Sequence, residues 1–262
     1  MLCVERSNGF ARTPMPKVAI VAALEREIAP LIKDWTRVQR EHEGHKFTFF
    51  ERDDIVAVCG GIGMQPARRA ADAVIALYHP AQLHSVGFAG ALNKSLRVGD
   101  IFSPAVVIDA RDGSRHQLRG GTGTLLTFMA VADAKQKIKL AQAYSAAAVD
   151  MESAAVAAAA EARGIVFAAT KVISDGLDFD MPGIGKFVSA GGRFRTPSFM
   201  LFAALRPWLW GSLAVLALNS RRASRALYAN LEDFCRDTSK AGAIPRAAPS
   251  DGGIALRSEG GK

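Results

Sequence analysis

Cysteine is scarce in this chain, with only Cys3, Cys59 and Cys235 among 262 residues. They are widely spaced and odd in number, and no CxxC pair or metal-ligand spacing accompanies them. That pattern argues against a disulfide framework and a cysteine-built metal site, and suits a reducing cytoplasm. Also missing are a zinc finger, an RNP-type aromatic strand and a helix-turn-helix, so the net charge of +8 has no nucleic-acid motif to go with it. The glycine-rich run Cys59-Gly60-Gly61-Ile62-Gly63 lacks both the Gly-Lys-Ser/Thr of a Walker loop and the GxGxxG of a dinucleotide fold. Residues 1–16 are too polar for a secretory signal. They show no periodicity and contain two prolines, so a disordered extension is expected there, with Met15 a natural start for a shorter reading frame. No internal repeat is visible.

What is present is the balance of a globular α/β protein, 49% hydrophobic and 22% charged. The chain is long enough for an ample core. The pattern predicts a single domain over 17–235, followed by a disordered basic tail over 236–262. Short apolar strands alternate with helices. Strands are expected at Lys17–Ala22, Ile55–Cys59, His84–Gly87, Asp100–Ile108 and Ile165–Ile173, and helices at Glu25–Trp35, Gln65–Tyr78, Ala134–Tyr144 and Ser153–Arg163. The loop Asp109–Gly123 lies between. This alternation argues for a sheet covered by helices on both faces, with ligand-binding groups at one sheet edge.

From Phe199 to Leu218 the sequence is nearly apolar for about twenty residues, a length that would reach across a bilayer. Arg206 and Pro207 in its middle argue against spanning. Two helices meeting there and completing the core fit better. The alternative is a partly exposed apolar surface that receives a greasy substrate or touches a membrane.

The chemistry is carried by acids placed at element ends. Glu152, in Val149-Asp150-Met151-Glu152-Ser153, falls at the start of the Ala-rich helix. Asp175, in Val172-Ile173-Ser174-Asp175, falls at the end of the following strand. Two carboxylates brought to one crevice suit hydroxyl recognition by one and proton delivery by the other. The bland alternative is a helix-start carboxylate favoured by the dipole and an ordinary Asp cap. Glu25 and Glu27 open the first helix and admit the same two readings. Gly63, and Ala89-Gly90 in the turn Gly87-Phe88-Ala89-Gly90-Ala91-Leu92, offer backbone N–H groups to a ligand or are simply tight turns.

Taken together and in order, Ala23-Leu24-Glu25-Arg26-Glu27, Gly61-Ile62-Gly63, Gly87–Leu92 with the following Val98-Gly99-Asp100, Val149–Ser153 and Ile173–Asp175 resemble the nucleoside phosphorylase/nucleosidase superfamily. The likeness covers about residues 17–190, and the nearest branch is that of the 5′-methylthioadenosine/S-adenosylhomocysteine nucleosidases. A second likeness joins Ala148–Ser153 with Leu205-Arg206-Pro207 and Leu216–Ala223, which are similar to the hopanoid-associated nucleoside phosphorylases. That branch is linked to removing adenine from an adenosylated hopane lipid.

The resemblance implies a three-layer α/β/α fold around a twisted mixed sheet, and cleavage of an N-glycosidic bond that releases adenine. It implies Glu27 as the base for the attacking water and Asp175 as the acid to purine N7, with Ser174 supporting it. Glu152 would hold the ribose hydroxyls, Met151 would pack on the sugar, and Phe128 would stack near adenine. It also implies no metal or redox cofactor, phosphate as co-substrate only if the reaction is phosphorolytic, and a homodimer with a small-molecule nucleoside as ligand. Two departures stand out. Phe88 replaces the serine that usually precedes the Ala-Gly of the sheet-edge turn, and Arg111–Gly123 is shorter than the family's loop. The competing class is a non-catalytic nucleoside-binding or membrane-associated protein, with contact through 199–218.

Overall fold

The computed structural model describes residues 18–179, 184–187, 189, 192, 195, 198–199 and 210–242. Residues 1–16, the Arg206-Pro207 junction and the end of the basic tail lie outside the described residues.

Eleven strands form one mixed sheet. They are β1 (Val18–Ala22), β2 (Thr36–His42), β3 (His45–Arg52), β4 (Ile55–Cys59), β5 (Gln82–Ala91), β6 (Ile101–Phe102), β7 (Val106–Asp109), β8 (Arg115–Gln117), β9 (Thr124–Thr127), β10 (Ala148–Asp150) and β11 (Val166–Asp175). The helices are α1 (Glu25–Ile32), α2 (Met64–Tyr78), α3 (Ala134–Tyr144), α4 (Ser153–Glu161) and α5 (Trp210–Gly242). The main path runs β2-β3-β4-β1-β5-β10-β9-β7-β8, with β11 also on β5 and β6 on β11.

The inner strands are apolar on both sides because both sides are covered. Val18, Ile20 and Ala22 of β1, with Ile55 and Ala57 of β4, pack against α1 and α5. Ala19 and Val21, with Val56 and Val58, pack against α2 and α4. Strand alternation therefore divides one continuous apolar run between two cores, and the result is the expected three-layer α/β/α arrangement.

Three expected elements come out differently. The predicted Asp100–Ile108 strand is two strands, β6 on β11 and β7 on β9, separated by the Ser103-Pro104-Ala105 segment. Pro104 has no N–H to give a ladder, so the break falls where the chain changes partners. The segment following Ile32 is not helical to Trp35 but turns into β2, a polar strand that pairs only with β3 and carries no buried residue. Strand β8 lies inside what reads as loop.

The C-terminal helix differs most. Its second half docks through a stripe four residues apart, Ala223, Leu227, Leu231 and Cys235, all fully buried against α1 and the sheet. Phe234 lies edge-on to the buried His84 ring at 4.9 Å. The helix continues to Gly242, so residues 236–242 are helical where a disordered tail was expected. Its first half does not complete the core: Trp210, Val215 and Leu218 are exposed. Among the described residues no helix is long and apolar enough to cross a membrane.

The two halves of α5 should respond differently to truncation. Leu227→Ala should lower unfolding stability by about 2–5 kcal/mol, the usual cost of a core cavity. Leu218→Ala should stay within about 0.5 kcal/mol. Urea denaturation of both variants checks this, and equal losses would contradict the docking.

Candidate active site

The site arises from a change of partners along β5. Its first residues pair with β1 as far as Val21 opposite Ser85, and its last pair with β10 from Val149 opposite Gly90. Between them, Val86–Ala89 have no strand on that side, while β11 runs along the other. Chain ends from β1, β10 and β11 meet at this gap, which is where open α/β sheets bind ligands. A cavity of about 190 Å³ opens there, and Glu27, Lys137, Asp150, Met151, Glu152, Ser174 and Asp175 reach its wall.

Glu27 is the third residue of α1 and is only 6% exposed. Leu24, extended just before the helix, gives its N–H to the carboxylate at 3.4 Å. The carboxylate lies flat on Gly87, where a Cβ would stand 2.7 Å from Oε2. Gly87 also has φ +140°, so a side chain is excluded twice over. Burial pushes the Glu27 carboxyl up to about 7, against the pull of the Lys171 ammonium.

Glu152 stands immediately before α4 and accepts N–H groups from Gly63 at 2.7 Å and Met151 at 3.2 Å. Burial raises it to about 8, with the neighbouring Asp150 charge adding and Lys171 opposing. Asp175 ends β11 after a register shift at Ile173. Ser174 donates its hydroxyl to Oδ1 at 2.6 Å, and Oδ2 forms an ion pair with Lys137. Asp150 is tied down by Lys171 at 3.1 Å, the Thr127 hydroxyl at 2.7 Å and the Ser153 N–H at 3.0 Å.

The structure thus brings Glu27, Met151, Glu152, Ser174, Asp175, Ala89 and Gly90 to one cavity. Gly63 acts from behind, through its bond to Glu152, while Ile62 faces the space. Phe128 is not there. It continues the alternation of β9 and joins Leu126 in a cluster with Leu92 and Ile108. The cavity wall is made instead by Ala130, Val131 and Ala132, so a small aliphatic group stands where an aromatic was expected.

The sequence reading missed the lysines. Lys137 looks like one of several polar residues in α3, yet helical spacing sets it in line with Leu140, Ala141 and Tyr144, the half-buried face. It is 2% exposed. Lys171 sits alone in the apolar run of β11, a position where a charge is buried only with a partner.

Residues 17–127 and 116–190 match the family model of the phosphorylase superfamily. The chain belongs to this superfamily. An aminodeoxyfutalosine nucleosidase of Campylobacter jejuni is 30% identical over 90 residues, covering 33% of this chain and 39% of that protein, so the match spans about two fifths of the relative. Among solved structures, the apo 5′-methylthioadenosine nucleosidase of Arabidopsis thaliana superposes with a TM-score of 0.65 at 19% identity, covering 86% of this chain and 96% of that one. The futalosine hydrolase of Helicobacter pylori gives 0.61 at 15% identity, with 84% and 98% covered. An adenine complex of the 5′-methylthioadenosine/S-adenosylhomocysteine nucleosidase of Colwellia psychrerythraea gives 0.57 at 24%, with 63% and 85% covered. These superpositions establish a shared superfamily fold.

The two raised acids set a sign for stability against pH. Each holds its proton in the folded chain above the usual value of 4.5, where the unfolded chain has released it. Their contribution is therefore fully present below 4.5 and lost as pH rises through about 7 for Glu27 and about 8 for Glu152. Urea midpoints taken across this range should fall with pH, and Glu27→Gln should remove on the order of 3 kcal/mol of that fall. An unchanged slope in the variant would contradict the burial of a protonated Glu27.

Proposed function

We propose that this chain hydrolyses the N-glycosidic bond of a 5′-substituted adenine nucleoside and releases adenine. The observation that carries this reading is the convergence of Glu27, Glu152 and Asp175 on one cavity at the sheet's partner change. Breaking the bond puts positive charge on the sugar and negative charge on the base. In this reading Glu152 holds the ribose hydroxyls, Asp175 protonates the departing purine, and Glu27 takes a proton from water. A base whose carboxyl titrates near 7 is suited to that last step at neutral pH.

Water is favoured over phosphate because a phosphate dianion would have to approach the Glu27 carboxylate. Lys137 on the wall is already engaged by Asp175, and the buried Lys171 by Asp150. Phe88, where a serine is usual, adds no hydroxyl for phosphate. A second cavity of about 380 Å³ shares Ala23 and Leu24 with the first and offers room for a bulky 5′ group. The exposed Trp210, Val215 and Leu218 of α5 favour a second reading in which that group is a lipid, such as the hopane of the second resemblance. Sedimentation with anionic vesicles tests it: binding lost on replacing these three residues with Ser supports a lipid-linked substrate, and no binding by the native chain removes it.

Incubating the purified protein with methylthioadenosine, with and without phosphate, tests the main reading. Adenine and free sugar should appear at the same rate in both. Formation of 5-methylthioribose 1-phosphate would replace hydrolysis with phosphorolysis, and no release from any adenine nucleoside would leave a binding protein. Turnover should rise with pH through about 7 as Glu27 ionises, and Glu27→Gln should lose most of it. Asp175→Asn keeps the shape but cannot deliver a proton, so turnover should fall by about 10²–10⁴. Near-native turnover in that variant would sink the acid assignment. A 2′-deoxy substrate should be strongly disfavoured, because it leaves Glu152 buried without its hydroxyl partner; equal kcat/KM for the two sugars would count against that role.

A further inference from the structure

Lys137 is a buried, charged wall residue that the reading above leaves without a part. It comes from α3, an element separate from those carrying the three acids, and its side chain is 2% exposed. The ammonium meets the Asp175 carboxylate through Oδ2 and donates to the Gly176 carbonyl at 2.7 Å. Its stem runs beside Gly90, where a Cβ would stand 3.3 Å from Lys137 Cε and 2.9 Å from Asp175 Oδ2. The glycine therefore makes room for the pair as a unit. Asp175 remains open to the cavity at 22% side-chain exposure, whereas Lys137 is shut behind it. Oδ1 is already taken up by the Ser174 hydroxyl, which itself lies 3.3 Å from the Ala89 carbonyl.

This geometry bears on proton delivery. An aspartate salt-bridged to an ammonium has no proton of its own to give, and Ser174 can supply only a hydrogen bond. The labile proton nearest to Oδ2 is on Lys137.

We propose that Lys137 is a positioning and proton-supplying residue that acts through Asp175, the pair forming a two-group acid. The proposal rests on the hydrolytic reading above. As the bond from the sugar C1′ to purine N9 breaks, its electron pair moves into the purine. N7 takes a proton through Asp175, which accepts one from the Lys137 ammonium in the same step and leaves it a neutral amine. The attacking water adds its oxygen to C1′ and gives one proton to Glu27; Glu27 then releases that proton to solvent, and solvent returns one to Lys137. Lysine is suited to this cycle because it can release a proton, whereas arginine stays charged.

The test compares two leaving groups on the same enzyme. Adenine needs a proton to leave; 4-nitrophenolate, from a 4-nitrophenyl riboside, departs as a stable anion without one. Lys137→Met should lose on the order of 10²–10³ in kcat on the adenine nucleoside and stay within about threefold on the nitrophenyl riboside. Lys137→Arg should fail to restore the adenine reaction, and Lys137→Ala should recover part of it with added ethylammonium. Urea midpoints of each variant identify any that do not fold, and the Arg variant keeps the question open to test if the Met variant is unstable. Equal losses on both substrates would assign Lys137 a structural role only. Full activity of Lys137→Arg would show that charge, not a proton, is what Asp175 needs. Either result overturns the proposal. If the native enzyme releases no base at all, it is the functional reading that fails, and the two failures are thereby distinguished.

Discussion

The site is governed by a shortage of positive charge. Four carboxylates, Glu27, Asp150, Glu152 and Asp175, reach one small cavity whose wall also carries Arg26, and two buried lysines pair with two of the acids. Burying an ionised carboxylate without a partner is costly enough that the group protonates instead. The pairing decides which ones do. Asp175 has Lys137 and Asp150 has Lys171. Glu27 and Glu152 form no ion pair among the described residues, and these are the two whose carboxyls are pushed up to about 7 and about 8. A shared Lys171 moderates both without neutralising either. The acids thus divide into two paired with lysine and two held by burial.

That division depends on backbone features of β5. Glu27 and Asp175 approach from opposite sides of the strand's exposed stretch, and each is seated against a glycine, Gly87 for one and Gly90 for the other. Any Cβ at these positions would occupy the carboxylate's place. The same strand holds β1, β10 and β11 at successive registers, so the three chain ends that carry Glu27, Asp150–Glu152 and Asp175 are fixed relative to one another by ladder hydrogen bonds. Precision in the site is inherited from the sheet, which is the rigid part of the fold.

Much of this was legible in the chain itself. The apolar runs of β1, β4 and β11 are long and bounded, and acids at element ends are visible without coordinates. What could not be read was pairing across long sequence distances. Phe128 looked close enough to the site, but one step of strand alternation turns it into the Leu92–Leu126 cluster. Lys137 is three residues from the N-terminal end of its helix, in a run of lysines. Only the position of β11 against β5 reveals that one of them faces Asp175. The polar β2 carries neither an apolar alternation nor a turn signal at its start. It is a strand because β3 offers it a ladder. The first half of α5 misled in the opposite way: an apolar composition suggested burial, yet Trp210, Val215 and Leu218 are exposed.

The shortage of positive charge also gives the cavity a direction in which to act. On the proposed hydrolytic reading, with a neutral nucleoside bound, Glu27 and Glu152 have little reason to ionise, because Lys171 compensates them only in part. As the sugar acquires positive charge, it becomes the missing partner, and both carboxyls are drawn towards their ionised forms. Ionised Glu27 is the form that accepts a proton from water, and ionised Glu152 is the form that holds the hydroxyls most strongly. Attraction that is weak towards the ground state and strong towards the charged transition state is what accelerates a reaction, whereas uniform binding would not. A cavity that began fully paired, with four lysines for four acids, would be more stable and would lack this response. The two unmatched glutamates are therefore a destabilising element of the resting protein and, on the proposed reading, the source of its complementarity to a developing sugar cation.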